Sequence, residues 1–251
     1  LLFIITSLVI HNQFVHLMEH DYGFNTNNVL NFNLQGNDYE KVKMVMSSIA
    51  GVSAISGCEY LPSTGRTENI HFQIPDKEES ENLIAMRASN EFIDVLDFQV
   101  IAGDLSKTPM NIEGSTIVIN REAVTTLGFE SPDAIIGESF KNQNGDFMKV
   151  VGVIEDFTFH LLFNVRSKSP IAIYNDPTQF TMINVSIDHP NHADIVKRLS
   201  EAWKTIDPVH AFAYEFYDDN LASNNQGIFD IVNIVGFIAF LAVVIVSMVI
   251  L

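Results

Sequence analysis

A chain of 251 residues has room for one large domain or two modest ones, each with a core of its own. Its 31 acidic against 14 basic residues leave a formal charge of −17, which argues against a nucleic-acid partner and against docking on an anionic lipid face. One cysteine excludes an internal disulfide, and a mean hydropathy of +0.17 with only 18% charged residues requires the apolar excess to be concentrated somewhere.

Part of that excess lies at the start. Residues 1–10, LLFIITSLVI, would reach about 15 Å as a helix, half a bilayer core. With no basic n-region and no small-residue cleavage site, they read as the end of a membrane span rather than a signal peptide. The span continues as a polar stalk to residue 20, and Gly23 is the expected break. Within the stalk His16, Glu19 and His20 fit the H-x-x-E-H spacing of inverted zinc peptidases, with both histidines on one helical face. The helix stops straight afterwards at Asp21-Tyr22-Gly23, so a stalk explains the match better than a metal site, and no metal or cofactor is expected.

Next comes a strand–helix–strand unit: NVLNFNLQ (28–35), a helix over 38–50, and VSAISGCEY (52–60). Asn37 or Asp38 caps that helix, Val42, Val45, Met46 and Ile49 form its apolar stripe, and Gly51 ends it. Residues 65–170 read as an insertion of short elements. Strands are expected at 69–74, 83–88, 115–119 and 147–154, and helices at 89–97 and 120–128. Ser131 caps a helix with Pro132 at its first position, and NQNGD (142–146) carries the Asn-Gly of a hairpin. The return strand of that hairpin ends at Glu155 and Asp156, four residues before His160. A second strand–helix–strand unit follows: FTMINVSID (180–188), a helix over 192–206 striped by Ile195, Val196, Leu199, Trp203 and Ile206, and AFAYEFYD (211–218).

The chain then turns apolar. The 21 residues 231–251 carry no charge and match the roughly 30 Å hydrocarbon thickness, so 228–251 is expected to be a transmembrane helix, with Asp230 and Asn233 at its boundary. The fold class is therefore α+β: a split βαβ, ferredoxin-like layer with an inserted mixed α/β subdomain, flanked by two spans. The divisions are 1–20 (span end and stalk), 21–64 (first βαβ half), 65–170 (insertion), 171–227 (second βαβ half) and 228–251 (span).

Chemistry finds little footing here. Glu155, Asp156 and His160 after an apolar run invite a catalytic reading, but nothing in the sequence keeps a carboxyl neutral for acid–base work. They read as the polar end of a strand. No GxSxG elbow, CxxC pair or GxxxxGK[ST] loop occurs, so no catalytic residue is assigned and the chain hydrolyses no ATP through a P-loop of its own.

The order of several phrases resembles a known family. DYGFNTNNVLNFNL (21–34), IAGVSAISGCEYLPSTG (49–65), NEFIDVLDFQVIAGD (90–104), IVINREAVTTLGF (117–129), VVGVIEDFTFHLL (150–162) and FAYEFYDDNLASNNQ (212–226) are similar to the MacB/FtsX-type permeases of ABC transporters. The similarity is to their MacB-like periplasmic core domain with its flanking spans, and DYGFN looks most like the second half of a tandem permease. The resemblance implies a multi-pass protein of the bacterial inner membrane, its large domain extracytoplasmic and porter-like. It implies a non-catalytic chain powered by a cytoplasmic ATP-binding subunit, moving to export or extract a peptide, drug or lipoprotein. Implied partners are a second permease half or a homodimer partner, a periplasmic adaptor and the lipid bilayer. Two other readings fit the layout: a ligand-sensing domain of a two-span receptor, and a membrane-anchored zinc peptidase using His16, Glu19 and His20.

Overall fold

The computed structural model describes residues 21–74, 80–111, 114–161 and 168–250. The expected span end and stalk, with His16, Glu19 and His20, lie outside these residues. In chain order the elements are β1 (Val29–Asn33), α1 (Tyr39–Ser47), β2 (Val52–Cys58), β3 (Glu68–Gln73), β4 (Ser80–Arg87), α2 (Glu91–Val95), β5 (Val100–Gly103) and β6 (Thr116–Asn120). There follow α3 (Arg121–Thr126), β7 (Ser139–Asn142), β8 (Phe147–Ile154), β9 (Ile171–Tyr174), β10 (Met182–Ile187), α4 (His192–Ile206), β11 (Tyr214–Phe216) and α5 (Tyr217–Ile250). The described residues also include two 3-10 turns, Pro132–Ile135 and Pro177–Gln179.

The two strand–helix–strand units interlock. Their strands form one antiparallel sheet in the order β11-β1-β10-β2, the interleaving expected of a split βαβ layer. Asp38 accepts a hydrogen bond from the Lys41 amide and starts α1; Asn191 does the same for Asp194 and starts α4. Gly51 ends the first unit at φ +100°, where a Cβ would also strike Ile195 of α4. Val42 and Met46 of α1 and Ile195, Leu199, Trp203 and Ile206 of α4 pack on Leu30, Phe32, Ile55, Ile183 and Val185, one face of the sheet. Alternation along each strand sends every second residue to the opposite face.

Strands β3 to β9 form a seven-stranded sheet, β5-β8-β6-β9-β4-β3-β7, in which β7 also pairs with β8. That extra pairing closes six of the strands into a small barrel, with β5 extending the line of β7 along β8. Ile70, Phe72, Leu83, Ile117, Ile119, Phe140, Val150 and Val153 fill one apolar cluster together with Ala123, Val124 and Leu127 at α3. Two of these strands were not expected from the sequence, β5 and β9, whose four residues each are too short to display a period, whereas β7 is the outgoing strand of the expected hairpin. Strand β9 falls on the far side of residue 170, yet it pairs with β4 and β6 in the barrel rather than with the four-stranded sheet.

The last helix begins earlier than the hydropathy suggests. It starts at Tyr217, directly after β11, and runs 34 residues to Ile250, so the expected strand at 211–218 shrinks to three residues. Asp218 and Asp219 in its first turn suit the positive end of the helix dipole. The Asn-rich stretch 220–226 lacks an apolar period and hid the start. Among the described residues no helix is long and apolar enough to cross a membrane. Most side chains between 231 and 250, Asn233 included, lie outside the description, and the expected span at 228–251 falls largely on them.

Candidate functional site

Strand β8 leaves the barrel at Ile154, and several hydrogen bonds and ion pairs tie the next six residues to the rest of the fold. Because β6 and β8 run parallel, Asn120 lies opposite Ile154, and the start of α3 faces Glu155 and Asp156. Arg121 grips Glu155 with two hydrogen bonds, both 2.7 Å. That guanidinium, against some desolvation, holds the Glu155 carboxyl down at about 2. Asp156, with its side chain only 10% exposed, takes hydrogen bonds from the Glu122 amide (2.8 Å) and Asn120 Nδ2 (2.9 Å), and Lys168 Nζ stands 2.8 Å from its other oxygen. Asp156 thereby caps α3, while Asn120 Oδ1 accepts from the amides of Ala123 and Ile171. The Lys168 ammonium is held above its ordinary range by its Asp156 partner.

His160 goes elsewhere. Its Nε2 sits 2.9 Å from Ser169 Oγ, and Phe159 meets the ring edge-on. Among the described contacts none of the three side chains bonds another. Both carboxylates are paired with a cation and supplied with donors, and a group so held is a poor general acid. The trio is a strand-exit clamp.

What the clamp holds is an aromatic joint. Phe157 and Phe159 keep the alternation of the preceding strand and are buried, although the backbone is no longer paired as a strand. Phe24 of the incoming segment stacks on Tyr217 (5.6 Å between centroids) and meets Phe98 at 5.6 Å and Phe157 at 5.9 Å. The Thr158 amide donates to Tyr22 O (2.8 Å), the Asn25 amide to Leu96 O (2.7 Å), and Tyr217 Oη to Pro62 O (2.8 Å). Burial pushes the Tyr217 hydroxyl well above its usual value. Ser63 closes the ring, its amide donating to Phe159 O and its hydroxyl to Thr158 O. Gly23 sits at φ +78° with the Asp156–Phe157 backbone 3.1 Å from where a Cβ would be, so the expected break is a tight seat for the clamp.

A cleft of about 470 Å³ runs beside this joint, lined by Tyr22, Asp156, Phe159, His160, Lys168 and Ser169 among others. The sequence pointed to Glu155, Asp156 and His160 but missed Arg121, Phe24 and Tyr217. The Tyr22/Phe24 and Phe157/Phe159 alternation was visible; the parallel β6–β8 pairing that places Arg121 was not. Asp230 is exposed and accepts from Gln226 Nε2 one turn earlier (3.2 Å).

No protein-family model matches the chain, and no curated protein matches it either. Solved structures do. The periplasmic region of MacB from Actinobacillus actinomycetemcomitans superposes with a TM-score of 0.53 at 15% identity, covering 81% of this chain and 95% of that one. The fold is that of a MacB periplasmic region. A domain assigned to a permease of Porphyromonas gingivalis superposes with a TM-score of 0.51 at 14% identity, over 75% of this chain and 85% of that one. The extracellular domain of the noncanonic ABC-type transporter YknZ from Gram-positive bacteria gives 0.48 at 14% identity, over 74% and 97%. The mixed α+β architecture thus resembles that of the MacB periplasmic region.

Proposed function

We propose that this chain is the extracytoplasmic part, with adjoining membrane helices, of an ABC-transporter permease subunit, and that it relays helix motion without covalent chemistry. The observation that carries the reading is the joint: the incoming segment at Tyr22–Phe24 and the outgoing helix at Tyr217 are bolted to one another and to the barrel exit at 155–159. A displacement of either is passed to both sheets. The fold shared with the MacB periplasmic region supports the same reading. So does α5, where Ile234, Phe237, Ile238, Leu241 and Ile245 are exposed along one face, an apolar surface that suits lipid and not water.

In this reading the porter-like layer comprises 21–64 and the residues after Tyr174, and the barrel between them is the inserted subdomain. The ATP-binding subunit, a second permease half or second copy, and any periplasmic adaptor are partners supplied by other chains. The test is a Phe147→Cys variant of the full chain in spheroplasts, treated with a membrane-impermeant maleimide. Phe147 is 64% exposed, whereas Cys58 is fully buried with its thiol pushed up to about 12 and stays silent. Labelling of intact spheroplasts is expected; labelling only after permeabilisation overturns the placement.

A further inference from the structure

The two edges of the four-stranded sheet are unlike. Beyond β2 the sheet is closed onto the barrel: the Ser89 amide donates to Gly57 O (2.9 Å), the Glu59 amide to Arg87 O (2.9 Å), and Cys58 bridges to Ala88 just past β4. At the other edge β11 pairs with β1 alone. The register fixes which backbone groups this open edge presents. The Leu34 amide donates to Thr181 O (2.8 Å) and the Ile187 amide to Asn28 O (2.9 Å), so the even-numbered residues of β1 turn their polar backbone groups toward β10. Asn31 therefore turns to β11 and meets Glu215, and alternation directs the N–H and C=O of Tyr214 away from the sheet.

Exposed edges are commonly guarded by lysine, proline or a bulge. Residues 211–216, AFAYEF, contain no lysine and no proline, and the pairing of β11 with β1 has no register shift. The two sides of the edge differ. Toward α4, Phe212 stacks on Tyr214 (5.6 Å between centroids), Tyr214 meets Phe216 at 6.3 Å, and His192 of α4 stacks on Phe216 at 5.5 Å. Tyr214, in the middle of this row, is 45% exposed. The opposite side carries Glu215, which is exposed, and Asp218 and Asp219 follow it in the first turn of α5, also exposed. Among the described residues no cation pairs with these three carboxylates. All 14 lysines and arginines of the chain lie between Lys41 and Lys204, so β1, β11 and α5 contain none. Those of α4 belong to the aromatic side of the sheet.

A strand added to this edge alternates its side chains between the ring row and the Glu215 side. We propose that β11 takes up an extended basic segment of a partner chain by strand addition, with apolar side chains against Phe212 and Tyr214 and basic ones on the side of Glu215. Backbone bonds to Tyr214 supply the pairing, and the carboxylates of Glu215, Asp218 and Asp219 select the charge. The occupant is a partner and not a second copy, because a second β11 brings three more carboxylates to an edge that already lacks a cation. The inference does not rest on the membrane placement of α5: one is read by peptide binding, the other by thiol labelling.

The experiment is fluorescence polarisation with the full chain in a non-ionic detergent and two labelled nine-residue peptides, one alternating valine with lysine and one alternating valine with glutamate. The lysine peptide is expected to bind at least on the order of tenfold more tightly. Tyr214→Pro removes the outward N–H without touching the β1 ladder or the net charge, and should weaken that binding on the order of tenfold. Tyr214→Val keeps the N–H and should retain most of it. Equal losses in the two variants, or none in Tyr214→Pro, would overturn strand addition. The double variant Glu215→Lys with Asp218→Lys changes only exposed side chains and should reverse the preference between the peptides. An unchanged preference there overturns the charge selection even if Tyr214→Pro fails to fold. If the chain forms a dimer that Tyr214→Pro dissolves and the lysine peptide does not compete with it, the occupant is a second copy and the proposal is wrong.

Discussion

Replacing Asp156 separates a clamp from a catalytic carboxylate. In Asp156→Ala the Glu122 amide in the first turn of α3 and one Asn120 hydrogen lose their acceptor and Lys168 loses its partner, while Asn120 still caps α3 through the Ala123 amide. A hydrogen bond to a charged acceptor is worth about 1.5–3 kcal/mol and a helix cap about 1 kcal/mol, and the two overlap here because the Glu122 amide is both. The Lys168 end is 63% exposed and adds little. The expected loss of unfolding free energy is roughly 2–4 kcal/mol. Asp156→Asn keeps an oxygen for the Glu122 amide, forfeits mainly the charge, and should cost only about 1 kcal/mol. The assay is urea unfolding followed by far-UV circular dichroism and by Trp203 fluorescence. Trp203 is the only tryptophan and sits in the core of the four-stranded sheet, so coincident curves establish that sheet and barrel unfold together. An Asp156→Asn loss equal to that of Asp156→Ala, or an Asp156→Ala loss under about 0.5 kcal/mol, would refute the capping argument.

Four other outcomes follow from the same geometry. Phe24→Ala should lower unfolding free energy by about 3–5 kcal/mol, because a nearly buried ring with four aromatic neighbours is removed; a loss below 1 kcal/mol in the same urea titration would dissolve the joint. Gly23→Ala should cost about 1–2 kcal/mol from its positive φ and more from contact with the Asp156–Phe157 backbone, and an unchanged midpoint would show the seat is loose. Glu155 and Asp207 both have carboxyls depressed below their unfolded values, the first by Arg121 and the second by the His210 amide with Asn37 and His210 side chains. Their stabilisation is therefore complete above the unfolded values near 4.5 and 3.8, and it declines as pH falls toward about 2; stability rising on acidification through that window would contradict it. Val15→Pro, in the expected stalk, should uncouple transport by the assembled permease from ATP hydrolysis while leaving the circular dichroism unchanged, and transport at the original rate would argue against a rigid stalk.

Legibility followed the length of the pattern. The two helices of the split layer and its strands β1, β2 and β10 carried clean stripes and caps, and Asp38, Asn120 and Gly51 act as their positions suggest. The barrel was legible only in pieces. Its closure depends on β7 meeting β3 over two residue pairs, and no local period encodes such a contact. The same is true of Arg121, which looks like an ordinary first-turn residue until the parallel β6–β8 pairing brings it to Glu155. The Glu-Asp-x-x-x-His spacing was visible and misleading as chemistry, because spacing along the chain does not reveal that each of the three residues turns to a different partner.

The mechanical consequence lies in the absence of slack at one point. Strand β11 ends at Phe216 and α5 starts at Tyr217, so no linker absorbs a rotation of the helix before it reaches the sheet. Tyr217 is also hydrogen-bonded to Pro62 and stacked on Phe24, which ties the same pivot to the incoming segment and the barrel exit. A 34-residue helix is about 51 Å long, so a tilt of about 10° at this pivot corresponds to roughly 9 Å at the far end. Under the proposed membrane placement of α5, a displacement of that size at its far end would arrive at the joint as a small rotation. Close-packed aromatic cores repack between discrete arrangements and do not stretch. A rotation of α5 at Tyr217 is therefore expected to move sheet and barrel together, because the pivot is packed against Phe24 and bonded to Pro62.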